Sequence, residues 1–213
     1  MTSEENVINY YVLCNKLKDV IRTGWTTWHI KRSRVESVAE HIYGTQMLAI
    51  AMYSEYKYDI DILKVIYMLA IHELGEIIIG DLTLFQITRE EKQKIEREAV
   101  HKILSCLADK EIIEELFLEF DKKETKEAIF AYQCDKLECD IQCKLYDEEK
   151  TVDINSKENN EIKNDVIVKD KVNMGESWSE TWMKNGQKRY HYDDNFQNVS
   201  NYAINNLILK KVK

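Results

Sequence analysis

The sequence predicts an all-helical protein, a bundle of about six core helices with a helical C-terminal extension. Three observations predict it. The 213 residues contain no Pro and only 6 Gly, so helix breakers are few. Apolar residues recur with a helical period through most of the first 146 residues. A hydrophobic content of 44% is that of a globular chain, and the length suffices for a proper core.

The elements follow in order. A first helix covers about residues 4–20, with Val7, Ile8, Tyr11 and Val12 roughly a turn apart. RTGWTTWHIKR, with one Gly and two Trp, reads as an ordered loop. Ser33 with Glu36 three residues on is a capping-box pattern that starts a second helix. Its stripe is Val38, Ile42, Thr45, Leu48, Ala49 and Met52. A third helix runs from about Asp61 to Ile78, with Ile62, Val65, Ile66 and Leu69 on one side, and Gly80 ends it. Thr88 with Glu91 repeats the capping box before a charged helix with Ile95, Ala99, Ile103 and Leu107 on its stripe. A short helix at about 110–120 and a long one at about 124–146 complete a main domain over 1–148. Residues 149–175 form a polar segment, of which 151–173, rich in Asn, Lys, Asp and Glu, reads as a solvated or weakly ordered stretch. The extension, 176–213, carries Trp178, Trp182, Tyr190, Tyr192, Phe196 and Tyr202, and is expected to fold as one or two helices onto the body or a partner subunit.

The net charge of −8 repels a nucleic-acid backbone, so no nucleic-acid polymer is expected as a partner. A small anion remains compatible, because a bound cation reverses the local potential. The N-terminus shows no signal peptide and no run approaches a membrane span, so no membrane partner is expected. Five Cys in such a chain read as reduced thiols in the cytoplasm.

Candidate chemistry starts at IHELGEIIIGD, residues 71–81. His72 and Glu76 are i and i+4, with Glu73 about 100° round a helix from His72. These ionisable groups end a stripe expected to be buried, and buried charge needs a partner or a metal. A helix end emerging into water is the alternative. His41 lies on the stripe of the second helix, where a satisfied core histidine is the alternative. Asp135 lies inward among Ala128, Ala131, Tyr132 and Cys139, where an Arg partner or a backbone cap is the alternative. Together the two imidazoles and two carboxylates suit one divalent ion such as Mn, Co, Fe, Ni or Zn, which makes hydroxide available near neutral pH.

Other readings fall away. HELGE lacks the second His of the zincin HExxH. Glu98 and His101 form a single ExxH where di-iron bundles need two. Cys134, Cys139 and Cys143 lack zinc-ribbon spacing and read as buried thiols. His29 and His191 receive no role, and residues 89–98 read as a solvated helix face.

ESVAEH (36–41), IHELGEIIIGD (71–81) and QCDKLE (133–138), in this order, resemble the HD-domain superfamily of metal-dependent phosphohydrolases. Over about residues 12–148 the likeness is to its 5'-deoxynucleotidase branch. The resemblance implies metal ligands at His41, His72, Glu73 and Asp135, the ion being Co, Mn, Mg, Fe, Ni or Zn. It implies catalytic roles for Glu76 and for Asp81, the latter near the leaving group. It places Arg22 and Trp25 in the loop that contacts a nucleoside monophosphate, and it implies a homodimer. Arg34, just before the ESVAEH helix, is a second candidate for the phosphate, and loop packing is the alternative for Trp25. One departure stands out: the family doublet is His-Asp, and here it is His72-Glu73. Glu can still ligate a divalent ion, so metal binding is expected to persist. The two function classes are a nucleotide phosphohydrolase and a catalytically weakened relative that binds metal and nucleotide.

Overall fold

A computed structural model describes residues 2–83, 86–165 and 177–209. These residues are helical without a strand; Ile21 and Ser37 form an isolated antiparallel bridge. The chain divides into two compact units: Met1–Thr23 with Glu36–Tyr132, and Gly24–Val35 with Gln133–Lys213.

The first unit opens with α1 (Ser3–Asn15), held by a capping box between Thr2 and Glu5, and a 3-10 turn at Lys16–Lys18. α1 buries none of its side chains, and Val7, Ile8, Tyr11 and Val12 stand exposed. α3 (Val38–Tyr56) buries Val38, His41, Thr45, Ala49 and Met52, at steps of three or four residues. α4 (Ile62–Ile71) starts at the cap Asp61 and buries Val65, Met68, Leu69 and Ile71. α5 (Glu76–Ile79) is a single turn. α6 (Arg89–Leu104) starts at the expected Thr88–Glu91 box, and α7 (Lys110–Lys122) buries Phe117 and Phe120. α3 packs on α4, α4 on α7, α6 on α5, α7 and α1. Ile71, Leu74, Val100, Leu104 and Phe117 form one buried cluster.

Several boundaries differ from expectation, and the first helix, expected to about residue 20, ends at Asn15. The helix expected at Ser33 begins at Ser37, whose Oγ accepts the Glu40 N–H while Glu40 caps back on Ser37. Glu36 carbonyl accepts the Arg22 N–H and Val38 N–H donates to Val20 carbonyl, which holds 36–37 extended. The third helix does not reach Ile78. After Ile71 the chain turns with three-residue hydrogen bonds, Leu74 to Ile71 and Glu76 to Glu73, and Gly80 at φ 73° closes α5. The loop at 22–32 contains one helical turn, α2 (Thr23–Thr27).

α8 (Lys126–Glu148) begins in the first unit and continues in the second. The second unit is centred on Trp25, Trp28, Ile30, Cys143, Tyr146 and Trp178. Trp25 meets Tyr146 and Trp178 edge-on. Part of the expected solvated stretch is ordered: α9 (Lys157–Lys163) is capped by Ser156 and buries Asn159, whose amide donates to Asp153 carbonyl. Residues 166–173 of that stretch lie outside the described residues. The extension supplies α10 (Trp178–Gly186) and α11 (Asp194–Asn205). It fastens to α8 through Ser179, whose N–H and Oγ–H donate to Asp147, and through Tyr190, whose hydroxyl donates to Asp140.

Candidate metal centre

The capping box at Ser37 sets the start of α3 and so turns His41, one turn in, toward the core, where it is fully buried. His72 is the C-cap of α4, where the helix leaves carbonyls without intrahelical donors. Its Nδ1–H donates to Leu69 carbonyl at 2.8 Å. That bond fixes the tautomer, with the lone pair on Nε2. The two imidazole centroids are 5.5 Å apart. Glu73 Oε1 lies 3.9 Å from His41 Nε2 and 3.7 Å from His72 Nε2, too far for hydrogen bonds. Ligand atoms of His41, His72 and Glu73 all lie within 4.8 Å of one another. Two imidazole nitrogens and a carboxylate oxygen converging on one small space fit a divalent transition ion. The longer Glu side chain still points its carboxylate at both imidazoles.

Cations and acids surround this trio. Arg22 Nη1 is 3.5 Å from Glu73 Oε1. Asp81 Oδ2 accepts the Thr23 N–H at 2.6 Å, capping the turn of α2, and Thr23 Oγ1–H donates to Asp81 carbonyl. Glu76, at the start of α5, is buried, with Oε1 accepting from Lys92 Nζ at 3.1 Å. Lys92 also lies 3.5 Å from Glu96, a helical turn on. Burial, with the carboxylates of Glu73 and Asp81, raises the Glu76 carboxyl above the ordinary range, against the pull of Lys92 and Arg22. Burial also raises Glu96, to about 7, with Lys92 opposing. Burial alone would lower Lys92, but Glu73, Glu76 and Glu96 hold its ammonium above the ordinary range.

The HD domain family matches residues 14–175. This chain belongs to the HD-domain family. Within it, the chain falls in the 5'-deoxynucleotidase branch. A relative from Dictyostelium discoideum named 5'-deoxynucleotidase HDDC2 is 33% identical over 153 residues, covering 68% of this chain and 79% of the relative. The Danio rerio protein of the same name is 31% identical, covering 68% and 71%. A crystal structure from Magnetospirillum magnetotacticum, described as a predicted metal-dependent phosphohydrolase, superposes with a TM-score of 0.67 at 21% identity over 94% of this chain and 90% of that one. The last likeness concerns the fold.

Within the HD domain, the first unit gathers His41, His72, Glu73, Glu76, Arg22 and Asp81. The remaining sequence candidates belong to the second unit. Asp135 is buried on α8, with Lys136 Nζ 2.8 Å from Oδ2. Arg34 is exposed. Trp25 is 1% exposed inside the aromatic core. Its packing alternative therefore describes it, since no open ring face remains for a base. The reading of 89–98 as a solvated face needs correction at Lys92 and Glu96, which turn toward Glu76. The signal was present: Lys92 stands three residues before Ile95 and seven before Ala99, on the apolar stripe of α6.

Proposed function

We propose that this HD domain hydrolyses the 5'-phosphate of (deoxy)ribonucleoside monophosphates, using one divalent cation held by His41, His72, Glu73 and Asp135. The observation that carries it is the convergence of two imidazoles on Glu73, with His72 oriented by Leu69 carbonyl. The relatives named 5'-deoxynucleotidase support the substrate class. Asp135 joins the set as a buried carboxylate within the HD-domain match. Co, Mn, Mg, Fe, Ni and Zn are the candidate ions.

A divalent cation bound there supplies positive charge for the phosphate oxygens, acidifies water and counters the carboxylate field on Glu76. Arg22 orients the phosphate with its planar fork. Glu76 takes a proton from the attacking water. The water oxygen bonds to phosphorus as the P–O5' bond breaks, and Asp81, protonated in the substrate complex, gives the departing oxygen its proton. Nucleoside and inorganic phosphate leave. Arg34 is a further phosphate contact in this reading. Among the described residues none of the five cysteines forms a disulfide, which supports a cytoplasmic setting. No helix among the described residues is long and apolar enough to cross a membrane. The exposed apolar side chains of α1 support a homodimer.

The test is phosphate release from a panel of deoxy- and ribonucleoside monophosphates with added Co, Mn or Mg, beside metal analysis of chelator-free protein. Wild type is expected to release phosphate, and His72→Ala to lose both metal and turnover. Equal metal content in the two proteins would sink the metal site. No release from any substrate would favour a catalytically weakened HD protein that binds metal and nucleotide.

A further inference from the structure

Glu76 is gripped on one side only. Its side chain is fully buried, Oε1 accepts from Lys92 at 3.1 Å, and Oε2 is buried and takes no hydrogen bond among the described residues. A lone carboxylate of this kind has rotational freedom about its last torsion, which is broad and roughly two-fold. A cation on one oxygen removes that freedom and leaves the other oxygen facing a defined direction. Lys92 is itself held, because its ammonium also lies 3.5 Å from Glu96 Oε1.

A second observation shows that this grip depends on a close approach of two elements. A Cβ built on Gly75 would stand 3.2 Å from Glu96 Cγ and 3.3 Å from Glu96 Cα and Cβ. Gly75 directly precedes α5, so the missing side chain lets the backbone of α6 come down on the start of α5. The approach brings Lys92, one turn before Glu96, level with Glu76. Glycine here serves contact rather than conformation, since its φ of −56° is open to any residue.

We infer that Lys92 is a positioning residue: it holds Glu76 by Oε1 and so presents Oε2 to the attacking water. This rests on the hydrolase reading of the site. Lys92 does not touch substrate in this scheme and acts through Glu76.

The experiment is a double-mutant cycle on the metal-loaded enzyme with Lys92→Met, Glu76→Gln and both together, and with Lys92→Arg as the conservative variant. Lys92→Met is expected to lower kcat by about a hundredfold, the cost of a misplaced catalytic group. KM and metal content are expected to stay at wild-type values, and Lys92→Arg to recover most of the rate. In the Glu76→Gln background, adding Lys92→Met is expected to change nothing, since the group it positions is gone. A rate loss that persists in that background, or a Lys92→Met enzyme with wild-type kcat, overturns the inference. If wild type releases no phosphate from any substrate, the hydrolase reading fails, and the crystal structure of Lys92→Met decides the positioning claim alone. A Glu76 carboxylate turned from its wild-type orientation supports it, and an unmoved one overturns it.

Discussion

Glu73 carries one methylene more than the Asp of the family doublet. Its Oε1 faces His41 and His72 and has Arg22 at 3.5 Å. Helical periodicity made His41 legible as inward, and residue order made the doublet legible. The reach of the Glu73 carboxylate was not, because it depends on where α4 stops. Asp140, on α8, shows a different residue-scale effect. It is fully buried, and burial pushes its carboxyl up to about 7, against the pull of Arg189, Tyr190 and Lys136. A folded value raised from the ordinary 3.8 means a stabilising contribution that is complete below 3.8 and lost as pH rises through about 7. Asp140→Asn keeps an acceptor for Tyr190 and removes the charge. Urea unfolding is therefore expected to show the Asn variant gaining on wild type between pH 4 and 8, by on the order of a few kcal/mol. A difference that stays flat across that range contradicts the assignment.

Elements were legible where their signals are local. The Thr88–Glu91 box opens α6 as its sequence says, and Gly80 closes α5. Ser33-x-x-Glu36 and Ser37-x-x-Glu40 carry the same signal, and local sequence cannot choose between them. The pairing of Val20 with Val38 and of Arg22 with Glu36 chooses, through partners distant in the chain. The break after Ile71 is hidden for the same reason, since Glu73 and Leu74 across it are good helix formers. Gly186, the last residue of α10, tests how an element is placed. A Cβ there would stand 2.0 Å from Asp140 Oδ2 and 2.7 Å from Oδ1 and Cγ. Gly186→Ala is expected to push α10 off α8 and to destabilise by about 1–3 kcal/mol, the usual cost of overpacking, despite the better helix propensity of Ala. Thermal unfolding measures it, and a Tm at or above wild type would show that the carboxylate can move aside.

For the whole molecule, composition excluded more than it assigned. A helical fold followed from missing breakers and helical period, and a nucleic-acid role was set aside by a net charge of −8. The division into two units was not legible, because the second unit takes residues 24–35 from between stretches of the first. Oligomeric state is a property of this scale. α1 leaves Val7 61%, Ile8 60% and Tyr11 62% exposed. Sedimentation is expected to give a two-chain species, reduced to single chains by Val7→Glu with Tyr11→Glu. Single chains in wild type would remove the homodimer.

His72 is the last step of a counted path. α4 begins at the Asp61 cap and ends on the proposed ligand, with ten helical residues between. Deleting one would swing His72 by about 100° and draw it back by about 1.5 Å. Insertions and deletions are therefore tolerated poorly between Asp61 and His72, whatever residue is gained or lost. The arrangement is specified by length as well as by identity, and variants that keep every proposed ligand can still abolish it.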